Sequence, residues 1–337
     1  MFICGLHDAY PSKEPYVLDS KTASTTLSFM RIYVAGINGM VGSAIAFMAK
    51  MQGHEVLGKP SKEMNFLDRE TVFQELSLTK PDALVIAAAK VGGIGANSTL
   101  PVDFLSQNLQ IQTNLLDAAH WANVEKVLFL GSSCIYPKFA PQPIPESALL
   151  TGTLEQTNEP YAIAKIAGLK LVESYRRQYG HNWISAMPTN LYGPRDNFDV
   201  KSAHVLPALL HRFHLAKRLG SPEVIIWGDG TPLREFLHVE DLARACLLLL
   251  CNYSSSTAIN IGSGHEISIS HLAELISKIV GFQGKIEYDT SFPNGTQRKF
   301  LDSTLISELG WKPEIGLEKG ISMTYDWFSS NHAKEIN

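Results

Sequence analysis

A chain of 337 residues, 45% hydrophobic and 18% charged, has enough apolar side chain for a sizeable core and too little charge for a disordered polymer. Its 29 Lys and Arg against 33 Asp and Glu leave a formal net charge of -4, which gives no electrostatic reason to expect nucleic acid or an anionic membrane as partner. The longest apolar run, Ala245 to Cys251, is far short of the ~20 residues that span a bilayer. Four cysteines without CxxC or Cys/His ligand spacing point to a reducing compartment, hence a cytoplasmic chain, without a metal site or disulfides.

In chain order, residues 1–29 carry Pro11, Pro15 and a Ser/Thr cluster from Ser20 to Ser28, without the apolar centre of a secretory signal. They read as a flexible extension, with Met30 as an alternative start. From Arg31, short apolar runs alternate with amphipathic stretches, the pattern of βαβ crossovers and a parallel sheet. Strands are expected at Ile32–Ala35, Glu55–Leu57, Ala83–Ala87, Val127–Leu130 and Ile184–Met187. Helices are expected near Met40–Gln52, Asp68–Leu78, Val102–Trp121 and Pro160–Tyr179.

After Met187 the pattern loosens, then resumes with a helix near His204–Arg218, a strand at Val224–Trp227, a helix near Glu240–Cys251 and a strand at Ala258–Ile261. Helices near Ser270–Val280, Ser303–Leu309 and Leu317–Phe328 are assigned mainly to a smaller unit. The expected fold is α/β: a Rossmann-like doubly wound parallel sheet over residues 30–190 and 238–262. A smaller, interleaved substrate-binding domain is expected over 191–237 and 263–330.

Gly36-Ile-Asn-Gly39-Met-Val-Gly42 closes the first strand and opens the first helix. Glycines there permit a tight turn and a close approach of backbone to a pyrophosphate. After the second strand, Gly58-Lys59-Pro60-Ser61-Lys62 offers cations and no acid before Glu63, which favours a ribose 2′-phosphate and therefore NADP(H).

Tyr161 and Lys165, four apart on an expected helix, project from one face. An ammonium beside a phenol favours the phenolate and makes it a better proton donor and acceptor near neutrality. Gly131-Ser132-Ser133-Cys134 follows a strand and so reaches the carboxyl edge of the sheet, where Ser132 can hydrogen-bond the same substrate oxygen as Tyr161.

Together these features resemble the extended short-chain dehydrogenase/reductase family from about Arg31 to near the end. Five spaced segments narrow the match: Ala87-Ala-Ala-Lys-Val-Gly-Gly-Ile94, Gly131-Ser-Ser-Cys-Ile-Tyr-Pro137, Asn158-Glu-Pro-Tyr-Ala-Ile-Ala-Lys165, Met187-Pro-Thr-Asn-Leu-Tyr-Gly-Pro194 and Arg234-Glu-Phe-Leu-His238. They closely resemble the GDP-L-fucose synthase family.

The resemblance implies an NADPH-dependent 3,5-epimerase and 4-reductase of a GDP-sugar, GDP-4-keto-6-deoxy-D-mannose, acting as a homodimer paired through the helices near Val102–Trp121 and Pro160–Tyr179. It implies catalytic roles for Ser132, Tyr161 and Lys165, with Cys134 as base and His204 as acid. Around the cofactor it places Gly36, Asn38, Gly39, Met40, Val41, Gly42, Lys59, Ser61 and Ala88. Leu130, Gly131, Ser132, Ser133, Tyr161, Lys165, Pro188, Thr189, Asn190, Leu191 and His204 complete that set. The implied substrate contacts are Asn190, Arg212, Trp227, Arg234, Asn294 and Lys299. Asn294-Gly-Thr-Gln297 departs from the commoner Asp-Gly-Thr-Pro at its first and fourth positions.

Two other readings stand beside this one. A nucleotide-sugar dehydratase or 4-epimerase would recycle its hydride on a retained NAD, and related dehydratases commonly carry an acid directly after the catalytic hydroxyl residue, where this chain has Ser133-Cys134. A non-catalytic dinucleotide-binding module would have no chemical need for Ser132, Tyr161 and Lys165 together.

Overall fold

The computed structural model describes residues 29–199, 202–292 and 294–331. The extension expected over residues 1–29 lies outside the described residues except for Phe29.

The chain forms, in order, β1 (Arg31–Ala35), α1 (Met40–Met51), β2 (Glu55–Leu57), α2 (Arg69–Thr79), β3 (Ala83–Ile86), α3 (Ile94–Thr99), α4 (Pro101–Trp121), β4 (Lys126–Leu130), α5 (Glu159–Tyr179) and β5 (Asn182–Pro188). There follow β6 (Asn190–Tyr192), α6 (Val205–Leu219), β7 (Glu223–Trp227), β8 (Leu233–His238), α7 (Val239–Asn252), β9 (Ile259–Ile261), β10 (Glu266–Ser268), α8 (Ile269–Val280), β11 (Lys285–Asp289), β12 (Arg298–Lys299), α9 (Thr304–Glu308) and α10 (Leu317–Asn331).

The main sheet is parallel throughout, in the order β2-β1-β3-β4-β5-β9. Its strands are apolar on both faces because both faces are covered. Tyr33, Ala35, Leu84, Ile86, Val127 and Phe129 enter one core with α2, α4 and α5. Ile32, Val34, Ala83, Val85, Leu128 and Leu130 alternate into the other, with α1 and α7.

Helix limits follow local chemistry. Asp68 accepts from Glu70 N and Thr71 N to start α2, and Gly180, at φ 74°, ends α5. Burying the stripe of α4 and α5 is specific as well as apolar: Gln112 Nε2 donates to Ala164 O at 2.6 Å, and a Cβ at Gly168 would stand 2.5 Å from Phe129 Cζ.

A third core joins α6, α8 and α10 through Leu209, Leu210, Phe213, Leu272, Ile276 and Phe328. Beside it, β8 pairs with β6, β10 and β12, and β11 pairs with β7. Strands β6, β8 and β10 to β12 were not distinguished in the sequence. They are short and mixed in polarity, as in Leu-Arg-Glu-Phe-Leu-His for β8.

One helix differs in placement from expectation. Ile306 of α9 and the following Trp311 pack with Leu242 and Ile259, so α9 lies against the main sheet and not in the smaller unit. Asp241 of α7 holds the chain beyond it, accepting Glu314 N at 2.9 Å and Ile315 N at 3.0 Å.

Candidate active site

Parallel strands deliver their following loops to one edge, and the loops after β1, β3 and β4 carry the glycine turn, Ala88 and Ser132 there. At the end of β1, Gly36 has φ +87°, and a Cβ would lie 2.9 Å from Ala88 N, so only glycine lets the first turn nest against the loop after β3. A Cβ at Gly42 would overlap Gly36 O outright. Gly39 caps α1 without a side chain, leaving the first-turn N–H groups of Met40, Val41 and Gly42 pointing into the turn, a cradle suited to a pyrophosphate. Asn38 lies in this turn, and Lys59 and Ser61 lie on the exposed stretch after β2.

The loop after β3 is braced by Asn108, which the sequence did not single out, and by Gly93 of the Ala87–Ile94 segment. Buried Asn108 of α4 accepts from Lys90 N at 2.8 Å and donates to Lys90 O at 3.0 Å. Gly93 N donates to Ser202 O at 2.8 Å, tying this loop to the segment that carries His204. No local periodicity marks Asn108 or Gly93 as supports; only their long-range partners do.

After β4, Gly131 N donates to Ala186 O at 2.8 Å, and Ser132 begins a short 3-10 turn with its hydroxyl accepting from Cys134 N at 3.2 Å. Tyr161 packs edge-on against Phe104 with ring centroids 6.3 Å apart. Burial drives its phenol well above the ordinary range, with the neighbouring Cys134 adding to the rise and the Ser132 hydroxyl opposing it. That differs from the expected depression by Lys165. Nearly fully buried Lys165 instead donates to Leu130 O at 2.8 Å, and burial lowers its pKa to about 8.

Lys299 on β12 donates to Cys134 Sγ at 3.6 Å. Its charge also reaches His204, whose imidazolium is disfavoured first by burial and second by Lys299. His204 is an exposed residue at the N-cap of α6. Lys299 pairs in register with Arg234, and the Arg234 guanidinium lies near Cys134 and 3.8 Å from a Cβ placed at Gly295. Arg234, Lys299, Cys134, Ser132, Tyr161 and His204 are thus joined by a chain of contacts and charge interactions.

Pro188, Thr189, Asn190 and Leu191 cross from β5 to β6 along this edge. Thr189 N donates to Ile261 O at 3.0 Å, and Asn190 Nδ2 to Glu235 O at 2.8 Å, so Asn190 is held by backbone. Glu235 is itself fully buried and was missed in the sequence; its carboxylate accepts Gly264 N at 2.9 Å and Leu301 N at 3.2 Å. It locks β12, and with it Lys299, to the sheet.

The remaining expected substrate residues form a second group. Trp227 stacks on Phe292 at 4.5 Å, Arg212 lies 5.6 Å over Trp227, and Asn294 Oδ1 accepts Asp229 N at 2.9 Å. Trp227 and Phe292 present an exposed flat aromatic platform. Among the described residues, no three His, Cys, Asp or Glu side chains are grouped to hold a metal ion, and no helix is long and apolar enough to cross a membrane.

Comparisons with known proteins agree with this architecture. Residues 32–262 match the NAD dependent epimerase/dehydratase family. GDP-L-fucose synthase 1 of Arabidopsis thaliana is 54% identical over 93% of this chain and 98% of its own length. GDP-L-fucose synthase of Escherichia coli is 50% identical over 90% of this chain and 98% of its own. A crystal structure of a GDP-L-fucose synthetase from Naegleria fowleri bound to NADP superposes with a TM-score of 0.83 at 29% identity, over 90% of this chain and 95% of that one. The chain belongs to the NAD dependent epimerase/dehydratase family, among its GDP-L-fucose synthases.

Proposed function

We propose that this chain epimerises GDP-4-keto-6-deoxy-D-mannose at C3 and C5 and then reduces the C4 ketone with NADPH, giving GDP-L-fucose. The observation that supports the reading is the chain of interactions that links Ser132 and Tyr161 to Cys134, Cys134 to Lys299 and Lys299 to His204, with Lys165 near the Tyr161 ring. A plain reductase needs Ser132, Tyr161 and Lys165 and has no use for Cys134 and His204.

Both epimerised carbons flank C4, so one grip on the C4 oxygen serves both steps. Ser132 and Tyr161 stabilise the negative charge that develops there when Cys134 removes a proton from C3 or C5. A phenol held above its ordinary range stays protonated, as a donor to that oxygen must. His204 returns a proton on the opposite face. Burial first and the Lys299 charge second disfavour its imidazolium, and a diphosphate anion at Lys299 and Arg234 would offset that second effect.

When bound, NADPH supplies the hydride that converts the C4 ketone to an alcohol. Tyr161 gives the C4 oxygen its proton, and Lys165, fixed on Leu130 O, places its ammonium behind the phenol to ease that transfer. Arg212 and the Trp227–Phe292 platform suit a planar guanine base.

In this reading the unit of residues 30–190 with 238–262 holds the dinucleotide. The unit of 191–237 with most of 263–330 holds the GDP-sugar. The chain works as a cytoplasmic homodimer through α4 and α5, which leave Val102, Trp121, Ile163 and Tyr179 exposed. Incubation with the ketosugar tests the reading: it expects one NADPH consumed per GDP-L-fucose formed. Redox-neutral conversion of a nucleotide sugar with no NADPH loss overturns it.

A further inference from the structure

The cation after β2 that favours a 2′-phosphate is not unopposed. Strands β1 and β2 run parallel with Tyr33 level with Leu57, so both end at the same edge. A Cβ at Gly58 would lie 2.7 Å from Val34 O and 3.1 Å from Ile37 Cδ1, so the chain leaving β2 passes directly against the glycine turn. Lys59 therefore starts at the lip of that turn, where the adenosine ribose of a bound dinucleotide is read.

No Lys or Arg occurs within Gly36–Gly42, and between β2 and Glu63 the only cations are Lys59 and Lys62. Lys59 forms a short ion pair with Glu75 of α2. Glu75 is 7% exposed, lying beneath Lys59 and close enough to the Tyr33 phenol for its negative charge to add to the effect of burial in raising that group. A 2′-phosphate approaching Lys59 from solvent meets a carboxylate directly behind its partner.

We infer that Glu75 is a specificity-determining residue of the dinucleotide site, masking part of the Lys59 charge so that this chain distinguishes NADPH from NADH less sharply than an unpaired lysine would. The inference rests on the NADPH-dependent reading above. Its physical content is a like-charge interaction: Glu75 repels the 2′-phosphate and has no such effect on a 2′-hydroxyl.

Equilibrium titration of NADPH and NADH by quenching of intrinsic fluorescence, at one fixed ionic strength, tests it without turnover. Glu75→Gln keeps shape and a hydrogen-bond acceptor for Lys59 while removing the charge. It is expected to tighten NADPH by roughly 5-fold with NADH unchanged, as expected for a screened like charge a few ångströms away. Lys59→Met is expected to weaken NADPH by roughly 10-fold with NADH again unchanged.

An NADPH-to-NADH affinity ratio that stays the same or falls in Glu75→Gln, or stays the same in Lys59→Met, overturns the inference. Comparing both nucleotides on one variant cancels any loss of folded protein. Glu75→Met, similar in size and uncharged, replaces the glutamine variant if that does not fold. Failure of the native chain to bind either nucleotide removes the functional reading, and the inference with it.

Discussion

Gly93 is where a single methyl group tests the link between fold and chemistry. Its backbone, at φ -68° and ψ -179°, is one that alanine adopts freely, so Gly93→Ala introduces no conformational strain. The added Cβ stands 2.5 Å from Ala203 O and 3.3 Å from both Ala203 C and Ser202 O. Restoring an ordinary contact of about 3.4 Å requires about 0.9 Å of movement.

The Gly93 side cannot easily yield, because Asn97 Nδ2 clamps it with bonds to Gly92 O at 2.7 Å and Gly93 O at 3.1 Å. The displacement therefore falls on residues 202–203 and the adjoining His204. A misplacement of about 1 Å costs on the order of 100-fold in rate, or about 2.7 kcal/mol of transition-state stabilisation. Solvent-deuterium incorporation at C3 and C5, measured alongside NADPH binding, should show that loss with the dissociation constant changed by less than about 2-fold. Native exchange rates in the alanine variant would refute the claim that this contact positions His204.

Tyr161→Phe should lower turnover by about 100-fold or more with NADPH binding nearly intact, read by steady-state kinetics and titration; equal activity would exclude the phenol as donor. Cys134→Ser should suppress deuterium exchange at both carbons while leaving the thermal midpoint within a few degrees, whereas unchanged exchange removes Cys134 from the chemistry. Lys165, with its pKa lowered by burial to about 8, is charged below that pH and loses its proton above it. The kcat/KM profile should fall as pH rises through about 8, and Lys165→Arg should abolish that limb. Between about 8 and the ordinary 10.5 the unfolded chain binds more protons at this lysine than the folded one, so this group makes unliganded stability rise with pH over that window.

Much of this architecture is legible in the primary structure because it depends on local rules. Apolar runs such as Ala83-Leu-Val-Ile86 become strands buried on both faces, and Gly36, Gly39 and Gly42 mark a turn that leaves no room for a side chain at Gly36 or Gly42. The four-residue spacing of Tyr161 and Lys165 sets both on one helix face whatever surrounds them. Contacts between distant segments obey no such rule. Lys299 lies 165 positions from Cys134, Glu75 lies 16 from Lys59, and Asn108 and Glu235 brace loops far along the chain. Each pairing depends on how sheets and helices stack, so tertiary structure alone decides which charge faces the thiol, which way burial moves the phenol, and how much of Lys59 is left for a phosphate.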